Sequence, residues 1–272
     1  ILGGSASYAC LACSYFAPTR MVAVVGNDFE ARDRDRLGQR QIDTEGLQVD
    51  DSGPTFTWSG RYHENFKERE TVDIRLNVFE NFKPVLPASQ KDSRYVLLGN
   101  IHPALQSHVL DQLDSTDAFV AADTIDLWIN IERPAFLELL KRIDFLVVND
   151  SESELLTDES NIIKAGAALR RMGPDKVVIK KGEHGAYFFY EDGLFTLPAY
   201  PVTELRDPTG AGDTFLGAAL GTLAALDKRD VPSIKTALLY GTAVASLTVE
   251  AFSCERLESG GVETIEERVA KL

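Results

Sequence analysis

The sequence has few residues of the kinds that build metal centres, disulfide frameworks or membrane spans. Its 272 residues include three cysteines and four histidines. The odd cysteine count argues against a fully paired framework, the Cys10-x-x-Cys13 pair has no second pair to complete a zinc site, and the histidines lack His-x-x-x-His spacing. No apolar run is long enough to cross a bilayer, and no charged leader precedes a signal-like segment. We therefore expect a cytoplasmic protein that does not enter a membrane.

Basic residues are also in short supply, because 28 Lys and Arg face 42 Asp and Glu, which gives a formal net charge of −14. A nucleic-acid-binding surface needs clustered Lys and Arg to neutralise phosphates, so this balance argues against DNA or RNA as a partner. A nucleotide is still compatible, since a small polyanion needs only backbone amides, a Lys and a metal ion. The expected partner is therefore a small molecule.

What the chain does contain is an α/β alternation. Amphipathic helical patterns separate short β-rich runs, which are Met21–Val25, Tyr95–Leu98, Ala118–Ala122, Asp144–Val148 and Lys176–Lys180. Buried runs of this length predict a mainly parallel, doubly wound sheet with helices on both faces. Ligands of such sheets bind at the carboxyl ends of the strands, where this sequence has Asn100, Asp123, Asn149 and Gly182. We expect a single α/β domain over residues 1–272.

One segment departs from this alternation. Residues Thr71–Phe79 alternate apolar and polar side chains, and Thr55–Tyr62 is a second β-rich run before them. The pattern predicts an inserted antiparallel sheet at about residues 46–80, with one apolar and one wet face. Such a sheet suits a flap over a pocket, or an edge that pairs with a second subunit in a homodimer. The alternative is a hairpin packed on its own domain.

The run Asp207–Phe215, with the sequence DPTGAGDTF, sets a small-residue turn and a carboxylate before an apolar helical pattern. Free amides and the dipole at a helix N-terminus favour an anion, and glycines let a phosphate approach the backbone. The Asp213 carboxylate would repel that phosphate, so its presence there suggests a function. Taking the proton of a substrate hydroxyl during phosphoryl transfer is such a function. The alternative is an ordinary helix start in which Asp213 stabilises the dipole.

This string is similar to the C-terminal signature of the PfkB, or ribokinase-like, family of carbohydrate and nucleoside kinases. The resemblance implies a three-layer ribokinase-like sandwich with a small β lid. It also implies that Asp213 is the catalytic base and that the amides of Gly210, Ala211 and Gly212 form an anion hole. As in some relatives, Asp207 would belong to a loop for a monovalent cation, K⁺, with local turn chemistry as the alternative.

The segment Asn149-Asp-Ser-Glu152 resembles the family's Asn-x-x-Glu motif. The resemblance implies that Asn149 and Glu152 help to order Mg²⁺ and the phosphates of ATP, with Glu152 acting on the metal through water. Mg²⁺ prefers oxygen ligands, keeps several waters, and is often oriented by carboxylates outside its own coordination sphere. The alternative is a helix N-terminus that Asn149 caps while Glu152 interacts with the dipole.

Two weaker resemblances lie on the expected nucleotide side. Residues Lys180–Ala186 resemble a strand-end Gly-x-x-Gly segment that borders the nucleotide, which makes Lys180 a candidate phosphate contact and Gly182 part of the site. The alternative is a pair of solvated strand-end lysines. The helical pattern Tyr240–Ser246 occupies the family's usual place for one wall of the adenine site, with Ala243 as the contact. Small residues there could equally permit close helix packing.

The beginning of the chain resembles the family's acceptor-binding motif. Gly3-Gly4-Ser5-Ala-Ser-Tyr8 is similar to Gly-Gly-x-Ala-x-Asn, so Gly3, Gly4, Ser5 and Tyr8 are expected to contact the acceptor, together with the strand-end Asn100. Tyr8 stands where Asn is usual. Its aromatic face suits stacking or simple packing better than binding of a sugar hydroxyl.

The resemblance extends to Val24–Phe29, which is similar to a Val-Gly-x-Asp-x-Phe segment of the family. Family members normally also have an opening strand and a substrate-binding Asp before the Gly-Gly pair. A sheet that lost a central strand would leave unpaired backbone groups on its neighbours. We therefore expect the natural protein to begin before Ile1.

The resulting hypothesis is an ATP-dependent kinase that phosphorylates a hydroxyl of a sugar or sugar-like alcohol. A nucleoside kinase is the first alternative, because Tyr8, Phe56 and Trp58 are aromatic residues that could face a base. The second alternative is a non-catalytic nucleotide-binding regulator of the same fold. Tyr8, in place of the usual Asn, favours this alternative, whereas the intact Asp213 argues against it. A dinucleotide-dependent dehydrogenase is disfavoured, because no strand is followed by Gly-x-Gly-x-x-Gly.

Overall fold

The computed structural model describes residues 1–62 and 69–272, with the side chain of Arg69 left aside. The helices and strands, in chain order, are α1 (Ser5–Cys13), β1 (Arg20–Gly26), α2 (Ala31–Gln39), β2 (Asp43–Asp50), β3 (Thr57–Tyr62), β4 (Arg69–Arg75), β5 (Tyr95–Leu98), α3 (Pro103–Leu110), β6 (Phe119–Asp123), α4 (Asp126–Ile131), α5 (Arg133–Leu140), β7 (Phe145–Asn149), α6 (Asp150–Thr157), α7 (Ile162–Arg171), β8 (Lys176–Lys180), β9 (Ala186–Tyr190), β10 (Gly193–Leu197), α8 (Ala211–Leu226), α9 (Val231–Thr248), α10 (Glu255–Ser259) and α11 (Val262–Val269). Short 3-10 turns cover Asn77–Asn81, Ala88–Gln90 and Gly182–His184.

The main sheet has six strands in the order β10-β9-β8-β7-β6-β5. Strands β5 to β8 run parallel, and β9 and β10 continue the sheet as antiparallel neighbours. All five β-rich runs of the sequence form strands within one or two residues of the predicted bounds. The predicted α/β class with a mainly parallel sheet is therefore confirmed.

Helices cover both faces of this sheet, because the interior positions of its central strands are all apolar. Successive residues of a strand point to opposite faces, so Val120 and Leu146 enter a core cluster with α5 and α7, whereas Phe119 and Phe145 enter a cluster with α8 and α9. The polar side chains of these strands lie at the strand ends. Within the described ranges, no helix combines the length and apolarity that a membrane crossing needs.

Strands β1 and β2 form a parallel pair apart from the six-stranded sheet. The sequence does not predict β2, because residues Asp43–Asp50 are mostly polar and lack strict alternation. Residues 46–50, which the predicted lid range includes, belong to this strand and lie beside β1. The described part of the lid therefore begins after β2.

The lid is an antiparallel pair, β3 and β4, as predicted, and residues 63–68 of its predicted range lie outside the described residues. The predicted strand to Phe79 is wrong beyond Arg75, because Asn77 adopts a left-handed φ of 50° and opens a 3-10 turn. The Asn77 side chain fixes that turn by donating to the carbonyl oxygen of Thr55 at 2.8 Å. A non-glycine residue with such a φ ends regular strand geometry.

One face of the lid is directed towards the Asp207–Asp213 loop. Regular alternation along β3 puts Trp58, Gly60 and Tyr62 on the same face. The Tyr62 hydroxyl lies 3.3 Å from the Thr209 hydroxyl, which brings the end of β3 against the loop. The Trp58 indole lies over Gly60, since a Cβ atom at Gly60 would come within 2.1 Å of the ring. The lid thus presents two aromatic side chains on its loop-facing side.

Helices α1 and α8 pack so closely that glycine is required between them. A Cβ atom on Gly217 would come 2.3 Å from the carbonyl oxygen of Ala9, and one on Gly221 would come 3.0 Å from the Cys13 sulfur. This close approach of the two helices fixes the N-terminus of α1 against that of α8.

The three cysteines are free thiols, and burial raises the pKa of Cys254 to about 12.

We predict opposite effects for two Gly→Ala substitutions in helices. Alanine should stabilise α2 at Gly38, where a Cβ atom meets nothing within 4 Å, by about 0.5–1 kcal/mol through helix propensity. Gly217→Ala should destabilise the protein by about 1–3 kcal/mol, because the new methyl group overpacks the α1–α8 contact. Thermal unfolding followed by circular dichroism checks this, and a raised midpoint in both variants would contradict the packing argument.

Candidate active site

The Asp207–Asp213 loop ends on α8 and is built to leave its backbone accessible. The Asp207 carboxylate accepts from the Thr209 amide at 2.9 Å, which is local turn chemistry. The Asp207 amide donates to the carbonyl oxygen of Val249, the residue that follows α9. Gly210 caps α8 with a left-handed φ of 79° and supplies no capping side chain. The Ala211 amide donates to Pro208, whereas no described backbone group accepts from the Gly210 or Gly212 amide. Gly210 and Gly212 therefore supply the two available amides among the predicted anion-hole donors.

Tyr8 lies directly beneath this loop. A Cβ atom on Gly210 would come within 2.4 Å of the Tyr8 ring, so the ring and the glycine backbone are in contact. The Tyr8 side chain is only 3% exposed. Burial, reinforced by acidic neighbours that include Asp207 and Asp213, raises its pKa above the ordinary tyrosine value. Tyr8 thus acts here as a packing support, and the predicted contact with an acceptor finds no open ring face.

Asp213 lies in the first turn of α8 and is half-buried. Burial, followed by the nearby charge of Asp123, raises the pKa of Asp213 to about 7. The nearby Ser5 hydroxyl and the positive charge of Lys180 favour the ionised form and oppose that rise. A carboxylate with a pKa near neutrality is suited to proton transfer.

The predicted phosphate contact Lys180 is the cation of this site. Its ammonium group lies 3.7 Å from the Asp123 carboxylate, and the two side chains are 21% and 10% exposed. A Cβ atom on Gly212 would come 2.8 Å from the Lys180 nitrogen, so the ammonium rests against the first turn of α8. Burial alone would lower the pKa of Lys180, but the charges of Asp123, Glu152 and Asp213 raise it, and Lys180 is protonated.

Asp123 was not among the predicted site residues, although it was noted at the end of a strand. Its carboxylate is buried, and burial raises its pKa despite the opposing charge of Lys180. A buried acid at the carboxyl end of a parallel strand is a recognisable signal for a ligand site. The sequence does not show that β6 and β8 bring Asp123 and Lys180 together, because this contact arises from the sheet order.

Asn149 and Glu152 form a complete capping box at the start of α6. The Asn149 side chain accepts from the Glu152 amide at 2.8 Å, and the Glu152 carboxylate accepts from the Asn149 amide at 2.8 Å. The capping alternative is therefore present in the structure, and it does not exclude a second role. Burial and the charge of Asp123 raise the pKa of Glu152 to about 7.

The donor set fits Mg²⁺ held mainly by phosphates and water. Among the described His, Cys, Asp and Glu side chains, no group of three is arranged to hold a metal ion directly. Around the Lys180 ammonium lie instead the carboxylates of Asp123, Glu152 and Asp213, and their charges act on one another. Mg²⁺ usually keeps several waters and binds through one or two carboxylates plus substrate phosphates. Glu152 would then orient a metal-bound water, as the sequence predicts.

The other predicted site residues do not all lie near the Lys180 cluster. Gly3 and Gly4 are exposed at the N-terminus of α1, with open space around both, and Gly182 is exposed after β8. The Asn100 side chain accepts from the Trp128 indole at 2.9 Å. Ala243 is fully buried in a core cluster, so its side chain borders no open groove. The residues that do come together are Ser5, Asp123, Glu152, Lys180, Gly212 and Asp213.

Known proteins resemble the chain over most of its length. The sequence pattern of the pfkB family carbohydrate kinases matches residues 1–259. The chain is 26% identical over 278 residues to the bifunctional ribokinase/ribose-5-phosphate isomerase A of Fructilactobacillus sanfranciscensis, a match that spans 91% of this chain and 46% of that protein. It is 28% identical over 222 residues to the cytidine kinase of Thermococcus kodakarensis, spanning 80% of this chain and 78% of the kinase.

Solved structures resemble the fold. A candidate ribokinase II from E. coli, determined in complex with ATP and Mg²⁺, superimposes with a TM-score of 0.83 at 22% identity, over 99% of this chain and 89% of that one. The ribokinase-like fold predicted from the motifs is thereby confirmed.

The raised pKa of Asp213 predicts a pH-dependent stability change. Because the carboxylate has a folded pKa of about 7 against an ordinary value of 3.8, its ionisation destabilises the fold progressively as the pH rises from 4 to 7. Asp213→Asn removes that ionisation, so the variant should gain unfolding free energy at pH 8 and gain less at pH 5. One pKa unit corresponds to about 1.4 kcal/mol, so a gain of several degrees in the unfolding midpoint is expected at pH 8.

Thermal unfolding of both proteins at pH 5 and pH 8 measures this difference. Asp150→Asn is the matched control, because the Asp150 side chain is 51% exposed at the start of α6 and lies outside the cluster. A midpoint shift of Asp213→Asn that is equal at the two pH values would show that the carboxylate is not buried as described.

Proposed function

The chain belongs to the pfkB family of carbohydrate kinases, and we propose that it transfers the γ-phosphoryl group of ATP to a hydroxyl of a sugar or sugar-like alcohol. The observation that carries this proposal is the position of Asp213 beside both a helix N-terminus and the Lys180 ammonium. Phosphoryl transfer needs little covalent chemistry from a protein, and depends on positioning and on stabilisation of charge. This site offers a base, a cation and a free amide within one turn of α8.

In the proposed mechanism, Asp213 takes the proton of the acceptor hydroxyl as that oxygen attacks phosphorus. The Ser5 hydroxyl acts on the Asp213 carboxylate and would orient it. The Gly212 amide and the Lys180 ammonium stabilise negative charge on the migrating phosphoryl group. A pKa of about 7 suits Asp213 to this task, since a general base works best when its pKa lies near the working pH.

We further propose that the nucleotide lies along the ends of β7 and β8, between Asn149, Glu152 and Lys180. Mg²⁺, when bound with ATP, would neutralise phosphate charge, and Glu152 would hold one of its waters. A K⁺ site at Asp207 remains part of the proposal. The turn that Asp207 makes to Thr209 and the anchoring of this segment to Val249 support a rigid loop at that position.

A nucleoside acceptor is the second candidate, and the loop-facing side of the lid favours it. Trp58 and Tyr62 lie on the same face as the contact to Thr209, where an aromatic ring could stack on a base. Phe56 is less suited to this role because its ring packs against Phe79, with centroids 5.6 Å apart. A relative named as a cytidine kinase also supports this candidate.

The proposed activity is tested by incubating the protein with Mg²⁺, ATP and a panel of nucleosides, pentoses, hexoses and inositols, with product mass as the readout. Asp213→Asn should fold normally, bind ATP and lose turnover by about two to four orders of magnitude, because the base is removed and the shape is kept. Asp150→Asn should retain activity. A phosphorylated nucleoside would select the second candidate.

The rate should also depend on pH. Because Asp213 acts in its ionised form and has a pKa of about 7, kcat/KM should fall as the pH decreases below 7. Glu152 titrates in the same range, so this limb belongs to the cluster as a whole. Near-normal turnover of Asp213→Asn would remove Asp213 as the base. ATP binding without any product would favour the non-catalytic regulator.

We also propose that the lid pairs with a second copy of the chain. Three apolar side chains of β4 and its end are open to solvent: Val72 is 57% exposed, Ile74 50% and Leu76 44%. A two-stranded sheet is marginal in water without a further packing partner. Sedimentation should therefore give a dimer, and Val72→Asp should shift it towards monomer. Val262→Asp, at a residue on α11 that is 50% exposed, should not. A monomeric native protein at all concentrations would contradict the proposal.

A further inference from the structure

We infer that Asp123 is a positioning residue whose carboxylate holds the Lys180 ammonium against the Gly212 backbone, where it meets the transferred phosphoryl group. This inference rests on the proposed function. It adds a residue that the sequence motifs did not identify. Asp123 itself does not touch the phosphoryl group in this proposal, since its negative charge would repel it, and it acts through Lys180.

The sheet order makes this contact possible. Strand β7 lies between β6 and β8, and in the register Lys180 is level with Asn149 whereas Asp123 is level with Val147. The Lys180 side chain therefore crosses the end of β7 to come within 3.7 Å of Asp123. A long flexible side chain that crosses a strand end needs a fixed partner there to hold one position.

Asp123 is such a fixed partner. It ends a strand whose residues are all buried, and its carboxylate accepts from the Thr124 amide. Its carbonyl oxygen accepts from the Gln106 side chain at 3.2 Å, and the same amide group binds Gly99 at 2.8 Å. These bonds tie the ends of β5 and β6 together. The anchor is thus rigid and the lysine is the adaptable member of the pair.

Gly212 completes the arrangement. A Cβ atom at this residue would come 2.8 Å from the Lys180 nitrogen and 3.7 Å from the Asp123 carboxylate. The ammonium is therefore enclosed between the acid and the first turn of α8. Without Asp123, Lys180 would be attracted to Glu152 and Asp213, the other two acids that act on it. An ion pair with Asp213 would compete with the function of that residue as a base.

The neighbouring pair Lys181–Asp150 provides a matched control within the same segment. Its nitrogen and oxygen lie 3.8 Å apart, almost as in the Lys180–Asp123 pair, but the two side chains are 34% and 51% exposed. Exposed pairs of this kind contribute little, because water screens them. The same substitutions can therefore be compared in a buried and an exposed pair whose lysines are adjacent in the chain.

The experiment measures the binding of Mg²⁺-tripolyphosphate by calorimetry in the full chain, so that it does not depend on turnover. If Asp123 contributed only negative charge, Asp123→Asn would strengthen binding of this anion. If it positions Lys180, Asp123→Asn should weaken binding by about tenfold, the effect of one hydrogen bond to a charged group. In the Lys180→Met background, where no ammonium is left to position, Asp123→Asn should no longer weaken binding. Asp150→Asn and Lys181→Met should have little effect.

A second readout uses the pH profile of kcat/KM on an acceptor that the wild-type protein phosphorylates. Removal of Asp123 should lower the pKa of Asp213 and shift the acid limb to lower pH, whereas Lys180→Met should shift it to higher pH. An altered fold alone would not produce opposite shifts. If Asp123→Asn does not fold, Asp123→Glu serves instead, because it keeps the charge and moves it by one methylene, and it should weaken binding less than Lys180→Met.

Stronger tripolyphosphate binding by Asp123→Asn in both backgrounds would overturn the inference. A wild-type protein that phosphorylates no acceptor would instead count against the proposed function, and the binding series would still decide whether Asp123 positions Lys180.

Discussion

The geometry of the site depends on the attraction between the Lys180 ammonium and the carboxylates around it. Three carboxylates act on this one cation, those of Asp123, Glu152 and Asp213, so the cluster carries more negative than positive charge when all groups are ionised. Burial, followed by repulsion from the Asp123 carboxylate, raises the pKa values of Glu152 and Asp213 to about 7, so these two acids keep their protons at acidic pH. A ligand that brings positive charge, as a Mg²⁺-bound nucleotide does, would favour release of those protons.

The fold brings these groups together through strand ends and helix starts. Parallel strands direct their carboxyl ends to one edge of the sheet, which places Asp123, Asn149 and Lys180 side by side. Helix α8 then approaches the same edge with its N-terminus, and α1 approaches with Ser5 because Gly217 allows the two helices into contact. Apolar burial on both faces of the sheet supplies the stability that a cluster of like charges lacks.

Local patterns were sufficient to predict much of this arrangement. The buried runs predicted β1 and the four parallel strands β5 to β8 of the main sheet, but not β9 and β10. The DPTGAGDTF string predicted the loop, the start of α8 and the position of Asp213. Strand β2 was not predicted, because it has no apolar pattern of its own. It forms a strand through its pairing with β1. The role of Asp123 depends on a lysine two strands away, and the burial of Tyr8 and Ala243 depends on helices that pack over them. These are tertiary contacts, which local periodicity does not encode.

The contact between Tyr8 and Gly210 has a consequence for how this chain can vary. The aromatic ring determines the height at which the loop crosses it, and only a residue without a side chain fits above the ring. Any other residue at position 210 would clash with the ring and would also be strained by the left-handed φ of 79°. A smaller residue at position 8 would leave the loop unsupported. Exchanging Gly3–Tyr8 for the corresponding segment of another protein would therefore alter the support of the Asp207–Asp213 loop as well as the segment itself.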